Sequence, residues 1–204
     1  MRSAKWVLIS LTVAACSGGQ SESTVSSPSD GAASAASTTT ALTTSATSTT
    51  SAPSKSGTTD DVAKTFVDAH NHYRASHCVA PLEWSADVAK TAQAWANELA
   101  RSGCKLRHSS TPLGENLAAG TTGTIPPERA VELWYDESKG YDYSKTKFTM
   151  GAGHFTQVVW KGSRHVGCGT ATCNDKQIWV CNYDPAGNIQ GEFAANVPRP
   201  TCAK

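Results

Sequence analysis

Two histidines and two glutamates, each in a separate segment of the chain, are the side chains best suited to chemistry: His108, Glu115, Glu137 and His154. Neutral imidazole nitrogens bind divalent metal ions, and carboxylates serve as further ligands or as partners that orient the imidazoles. His154 is predicted to open a short helix, where the helix dipole disfavours the cationic form of its ring. The four residues therefore predict a cleft for Zn²⁺ or another divalent cation, or for a small ligand.

A structural role explains the same four residues equally well. Two His–Glu pairs could tie loops to a sheet through internal hydrogen bonds. A polar cluster of this kind can specify a fold without binding anything. The sequence leaves both interpretations open, and a third, a purely protein-interaction module, remains beside them.

Hydrolysis of envelope or host material is the enzymatic alternative, because Ser109 directly follows His108. Neighbouring side chains on an extended strand point to opposite faces, so Ser109 is poorly placed to be activated by His108. No Gly-x-Ser-x-Gly nucleophile elbow surrounds a serine of the domain. We therefore predict no catalytic residue and expect a binding protein rather than an enzyme.

A second candidate surface is the segment 141–150, where Tyr141, Tyr143 and Phe148 stand among lysines. An amphipathic loop of this kind could cover an apolar groove and admit a small lipid. The alternative is that the aromatic side chains pack the loop onto the preceding helix, since large apolar side chains are more often packed than exposed.

The elements that must position these residues include four predicted helices. Apolar residues recur at helical spacing from Asp60 onward, which predicts the first helix. Ser85 is a typical N-cap for a second helix that ends near Ser102. A third helix is expected to start at Pro126 or Pro127, where proline is tolerated, and a short fourth helix near His154.

Four strand-like segments lie between these helices, and the last two are joined by a loop of hairpin length: 106–109, 116–119, 165–171 and 177–183. Helices and strands do not alternate regularly, which argues against a parallel βαβ sheet. The expected class is therefore α+β, with an antiparallel sheet and helices packed on both of its faces.

Residues 153–160 and 181–188 resemble the two signature segments of the CAP superfamily, which includes cysteine-rich secretory proteins, insect venom antigens and plant pathogenesis-related proteins. The resemblance covers about residues 63–197, and further segments match in order: 69–74, 81–84, 108–109, 114–117, 134–137 and 193–197. It implies an α-β-α sandwich in which the four His and Glu residues share one cleft. In relatives that bind sterols, the loop matching 141–150 helps to form the lipid pocket.

The N-terminus predicts export. Arg2 and Lys5 precede a short apolar stretch, 6–15, which is typical of a secretory signal peptide and too short to span a bilayer. Small residues followed by Cys16 resemble a bacterial lipobox, so we expect residues 1–15 to be a lipoprotein signal peptide and Cys16 to carry lipid. The alternative is an ordinary signal peptide that contains a cysteine. Ser17 is typical of an outer-membrane address if the cell is Gram-negative.

Residues 16–59 are dominated by Ser, Thr and Ala, a composition that cannot bury a core and predicts a disordered tether behind the lipidated cysteine. Residues 60–204 are then expected to form one domain, which the resemblance identifies as a CAP domain. A net charge of +1 without a basic run gives no electrostatic footprint for nucleic acid. The expected partners are the membrane through its lipid anchor, a small lipid, and an envelope or host protein, at the bacterial envelope or outside the cell.

Six of the seven cysteines remain once Cys16 is assigned to lipid, and export predicts three disulfides. Six thiols allow 15 connectivities, among which spacing does not choose. The resemblance favours Cys168–Cys181, which would cross-link a β-hairpin, and it leaves Cys78–Cys104 and Cys173–Cys202 as the remaining expectation. A zinc site that uses Cys168 and Cys173 is the alternative.

Overall fold

The computed structural model describes residues 59–145 and 147–202, which form five helices and four strands. The bounds in chain order are α1 Thr59–Ser76, β1 Glu83–Trp84, α2 Ala86–Arg101, β2 Gly114–Thr121, α3 Pro127–Asp136, a 3-10 helix Glu137–Gly140, α4 Gly153–Val158, β3 His165–Cys173, β4 Lys176–Asp184 and α5 Phe193–Asn196. The expected signal peptide, the lipidation site at Cys16 and residues 16–58 of the expected tether lie outside the described residues. Thr59, placed in the tether by composition, is the first residue of α1.

The four predicted helices are all present, and their ends follow from local chemistry. Ser85 caps α2 as expected, since its hydroxyl accepts a hydrogen bond from the backbone of Val88 at 3.4 Å. Pro127 occupies the first turn of α3, where its missing N–H costs nothing. Helix α4 is only six residues long and has no side-chain cap from the residue before it.

The sheet has the strand order β1-β3-β4-β2. Strand β4 pairs antiparallel with both β3 and β2, whereas the two-residue strand β1 pairs parallel with β3. The prediction of an antiparallel sheet therefore omitted one short parallel pairing. The strand predicted at 106–109 is absent, because its backbone bonds to side chains: Arg107 accepts from the Trp95 indole and Ser109 donates to Glu115.

Side chains alternate between the two faces of β4, and each face packs against different helices. Trp179, Cys181 and Tyr183 join a core that contains side chains of α1, α3 and α4. Ile178 and Val180 instead pack against α2. Because successive residues of a strand point to opposite faces, β4 contributes to both cores. The expected α+β class, with helices on both faces of the sheet, is confirmed.

A buried arginine ties α1 to the segment that follows α4. Arg74 is fully buried, and its guanidinium donates hydrogen bonds to four backbone carbonyls: Ala80 at 2.9 Å, Val158 at 3.0 Å, Trp160 at 2.9 Å and Ser163 at 3.1 Å. The pKa of Arg74 is lowered to about 10, mainly by burial. The N–H groups of the guanidinium thus supply hydrogen bonds to backbone carbonyls in irregular segments, where no strand or helix provides a donor.

Three disulfides form, and two of the expected pairings are wrong. Cys168 bonds to Cys181 as expected, because the residues lie opposite each other in the β3–β4 hairpin with Cα atoms 4.1 Å apart. Cys78 bonds to Cys202 and Cys104 to Cys173, not Cys78 to Cys104 and Cys173 to Cys202. Helix α2 separates Cys78 from Cys104 with its 16 residues, a length of about 24 Å. The alternative zinc site is also excluded, since both of its cysteines are in disulfides.

None of the helices in the described part of the chain is long and apolar enough to cross a membrane.

Candidate functional site

Glu137 and His154 form the first of two histidine–carboxylate pairs. The carboxylate Oε1 lies 2.6 Å from His154 Nδ1, and Oε2 accepts the backbone N–H groups of His154 at 2.9 Å and Phe155 at 3.3 Å. Glu137 therefore orients the ring and also caps the first turn of α4. A negative charge is stabilising at this position, because the first N–H groups of a helix have no partner within the helix. The imidazole also stacks on Trp134, with ring centroids 6.4 Å apart.

His108 and Glu115 form the second pair. Glu115 Oε1 lies 2.7 Å from His108 Nδ1 and accepts the Ser109 N–H at 3.0 Å. Burial would by itself raise the pKa of Glu115, but the hydrogen bonds from His108 and Ser109 outweigh it and hold that pKa below its ordinary value. Glu115 is thus a carboxylate at neutral pH, almost fully buried, beneath an imidazole that is 64% exposed.

The two pairs share one chemical arrangement. In both, the carboxylate holds Nδ1, and within 59–145 and 147–202 no hydrogen-bond partner is found for either Nε2. A carboxylate at Nδ1 stabilises the tautomer that carries its proton there, which leaves the Nε2 lone pair free. Each ring can therefore donate one nitrogen to a metal ion or accept a hydrogen bond from a small ligand.

The structure brings the four predicted residues together as two pairs, not as one cluster of four ligands. No three His, Cys, Asp or Glu side chains of the described residues are grouped so that they could hold a metal ion. Both carboxylates are already engaged by imidazoles, so their expected alternative role as direct ligands is not supported. The nitrogens that remain available to a metal ion are therefore the two Nε2 atoms, one in each pair.

One residue that sequence reasoning did not single out links the pairs. Asn116 follows Glu115 on β2, and its side-chain amide donates to the backbone carbonyl of His154 at 3.1 Å. The segment 114–117 was recognised, but an asparagine in a strand carries no signal of a contact 38 residues away. Ser109, considered as a nucleophile, bonds through its hydroxyl to Thr111 at 3.0 Å.

The candidate lipid loop is divided by its packing. Tyr141 is 8% exposed and packs against Phe155 of α4, with ring centroids 5.4 Å apart. Tyr143 packs against Tyr141, and the Arg199 guanidinium covers its ring at 4.8 Å. The two tyrosines therefore do pack the loop onto the domain. They pack on α4 and the C-terminal segment, and not only on the preceding helix α3, as the sequence predicted. Phe148 remains 47% exposed.

A cavity of about 240 Å³ lies away from the two pairs. It lies beside the part of β3 that follows the two residues paired with β1. Its wall combines apolar side chains with polar groups of α2 and β3: Thr59, Val62, Trp84, Gln93, Cys168, Gly169, Thr170 and Trp179. None of the four His and Glu residues lines it. This cavity and the two pairs are therefore separate features of the domain.

The family model described as "CAP: Cysteine-rich secretory protein family" matches residues 67–183, a range that contains both pairs and the whole sheet except Asp184, the last residue of β4. The chain belongs to this family. Pathogenesis-related protein 1A of Nicotiana tabacum is 43% identical over 142 residues, which cover 68% of this chain and 84% of the relative. Protein PRY2 of Saccharomyces cerevisiae is 46% identical over 142 residues, which are 67% of this chain but 41% of PRY2.

Solved structures agree with this CAP assignment. The crystal structure of Na-ASP-1 has a TM-score of 0.57 at 26% identity and matches 68% of this chain and 42% of its own. The crystal structure of NaASP2 with Zn²⁺ has a TM-score of 0.57 at 24% identity and matches 69% of this chain and 87% of its own. These likenesses show the CAP fold, the mixed sheet with flanking helices described above.

Proposed function

We propose that this CAP protein is an exported, membrane-anchored binding protein. His108 and His154, each held by its glutamate, bind a divalent metal ion, for which Zn²⁺ is the candidate. The observation that carries the proposal is the Nδ1–carboxylate contact in both rings, 2.7 Å in His108–Glu115 and 2.6 Å in His154–Glu137. Zinc ligands of this type are oriented in the same way, by a carboxylate on the nitrogen that does not face the metal.

The donor set fits zinc better than a harder cation. Imidazole nitrogen is a preferred zinc ligand, whereas Ca²⁺ and Mg²⁺ need oxygen ligands, and both carboxylates are occupied by the rings. Two histidines leave the usual four-coordinate geometry incomplete, so water or a bound anion would supply the rest. The relative NaASP2 has a crystal structure with Zn²⁺, which is compatible with this choice.

Isothermal titration of the full chain with ZnCl₂ tests the proposal. We expect binding heat from the unchanged chain and none from His108→Ala/His154→Ala. His72→Ala is the matched control, because His72 is an exposed histidine of α1 outside both pairs. No heat from the unchanged chain, or equal heat from the double variant, rejects the metal site.

The proposal also includes export and anchoring to a membrane through lipid on Cys16. It is supported by the lipobox-like N-terminus, and the three disulfides fit an exported protein. The named relatives come from a plant and a yeast, so a bacterial lipoprotein form rests on the N-terminal segment alone. Mass spectrometry of the native N-terminus should find acyl groups on Cys16, and an unmodified Cys16 would end this claim.

A small amphipathic ligand, a sterol or a fatty acid, is the second candidate function. It is favoured by two exposed apolar side chains in the loop after Tyr143: Phe148 is 47% and Met150 83% exposed. Binding of a labelled sterol should weaken in Phe148→Asp and persist in Leu133→Asp, which places the same charge on an exposed apolar residue of α3. Unchanged binding by Phe148→Asp removes the loop from this function.

A further inference from the structure

A chain of buried hydrogen bonds runs from the core of the CAP domain to the backbone of His154. His70 is fully buried, and its Nδ1 lies 2.7 Å from the Phe66 carbonyl while its Nε2 lies 2.8 Å from the Tyr183 hydroxyl. The Tyr183 oxygen in turn lies 3.2 Å from the side-chain nitrogen of Asn116. That same nitrogen lies 3.1 Å from the His154 carbonyl.

The direction of every bond in this chain is determined by its ends. The Phe66 carbonyl can only accept, so His70 carries its proton on Nδ1 and accepts at Nε2. Tyr183 must therefore donate its proton to His70, and its oxygen accepts from Asn116. The His154 carbonyl can also only accept, so the side-chain nitrogen of Asn116 must face it. An inverted amide would set the Asn116 oxygen against that carbonyl and lose its bond to Tyr183.

Asn116 is thereby held in one orientation between two elements of the site. It is 1% exposed, and it follows Glu115, the residue that holds His108. Its amide reaches from the strand to the first turn of α4, where His154 lies. The dipeptide Glu115–Asn116 thus contacts both histidines, one through the ring and the other through the backbone.

We propose that Asn116 is a positioning residue that sets the place of His154 relative to the His108–Glu115 pair, with the His70–Tyr183 chain holding its amide. The proposal rests on the proposed metal function for its affinity effect, but the placement of the ring is independent of metal. Helix α4 has six residues and no cap from the residue before it, so its first turn depends on contacts from outside the helix. Glu137 accepts two N–H groups of this turn, Asn188 donates to the Gly153 carbonyl at 2.9 Å, and Asn116 donates to the His154 carbonyl itself.

Three variants of the full chain test the assignment, with ZnCl₂ as the probe. Asn116→Ala removes the bond to His154, and Tyr183→Phe removes the hydroxyl that accepts from the Asn116 amide and donates to His70. Asn71→Ala is the matched control, because Asn71 also bonds a backbone carbonyl through its amide, that of Leu82 at 3.0 Å, but touches neither pair. We expect zinc affinity to fall about tenfold in Asn116→Ala, as for partners behind metal ligands, less in Tyr183→Phe, and not in Asn71→Ala.

The second readout is taken without metal. The His154 ring stacks on Trp134, so its ring-proton NMR shifts report small displacements. We expect these shifts to change in Asn116→Ala and Tyr183→Phe and to stay fixed in Asn71→Ala. Should Asn116→Ala fail to fold, Tyr183→Phe, which keeps the aromatic ring, decides the case.

The outcomes separate the two proposals. If the unchanged chain binds no zinc but the His154 shifts move as expected, the metal function fails and the positioning role stands. If Asn116→Ala and Tyr183→Phe only lower thermal stability, while the His154 shifts and the zinc affinity match those of the unchanged chain, Asn116 is merely structural and the inference is overturned.

Discussion

Replacing Glu137 by glutamine should reverse the proton arrangement of His154 while leaving most of the local structure in place. The carboxylate now makes three contacts, one to His154 Nδ1 at 2.6 Å and two to backbone N–H groups at the start of α4. A glutamine oxygen can still accept the two backbone N–H groups. Its NH₂ group would then face Nδ1, which must become the acceptor, and the ring proton moves to Nε2.

The contacts of Glu137 set the size of two effects of Glu137→Gln, the loss of stability and the loss of zinc affinity. Two of the three contacts survive, so the loss of stability is that of one changed hydrogen bond, about 1 kcal/mol. A proton on Nε2 blocks the nitrogen that would meet the metal, and loss of an orienting carboxylate costs about tenfold to hundredfold in metal affinity. Tenfold to hundredfold corresponds to about 1.4–2.7 kcal/mol, so zinc affinity should fall by more than stability does, whereas a merely structural glutamate would leave the zinc affinity unchanged.

Zinc titration and urea denaturation of Glu137→Gln and of a matched control measure the two effects. Glu132→Gln serves as control, since Glu132 is an exposed glutamate of α3 that forms an ion pair with Arg129 at 2.6 Å and belongs to neither histidine pair. The control should keep its zinc affinity and change stability by less than about 1 kcal/mol. If the unchanged chain binds zinc and Glu137→Gln binds it equally well, the tautomer argument is refuted.

Three further predictions concern the scaffold. Arg74→Met should lower the free energy of unfolding by about 3–5 kcal/mol in urea denaturation, because four backbone carbonyls, three of them in buried contacts, lose their donor. A loss below about 1 kcal/mol would contradict this role. Burial lowers the pKa of His70 from 6.5 to about 4, so between these values only the unfolded chain binds the proton. The free energy of unfolding should fall by about 3 kcal/mol as the pH is lowered through that window. His70→Gln should flatten this pH dependence, and equal slopes for the variant and the unchanged chain would refute the prediction. Peptide mapping without reduction should recover Cys78–Cys202, Cys104–Cys173 and Cys168–Cys181, and a Cys78–Cys104 peptide would count against the observed pairing.

Much of the architecture could be predicted because its signals are local. Helical spacing of apolar residues, the Ser85 cap and the proline at the start of α3 each depend on neighbours within a few positions. The β3–β4 hairpin and its disulfide also join residues close in sequence. Strand β1 could not be found in this way, because two residues carry no periodicity and exist as a strand only through pairing with β3.

The candidate site shows the same division. Residue type marked the histidines and glutamates as the groups able to bind a metal, and family resemblance placed them near one another. Their partition into two pairs depends on where β2, the end of α3 and the start of α4 meet, which no spacing records. The aromatic loop likewise looked uniform, until packing buried Tyr141 and left Phe148 exposed.

The sequence by itself determined four of the five α-helices that the structure describes, the main strands and the four side chains with chemical potential, because short-range periodicity and residue type encode these. Its motifs determined the family by resemblance. Only the tertiary structure decided which cysteines bond, which nitrogen of each imidazole is held, and that Asn116 reaches His154 across 38 residues. Those outcomes are set by distances between elements far apart in the chain. Such distances arise only once both faces of the sheet are packed.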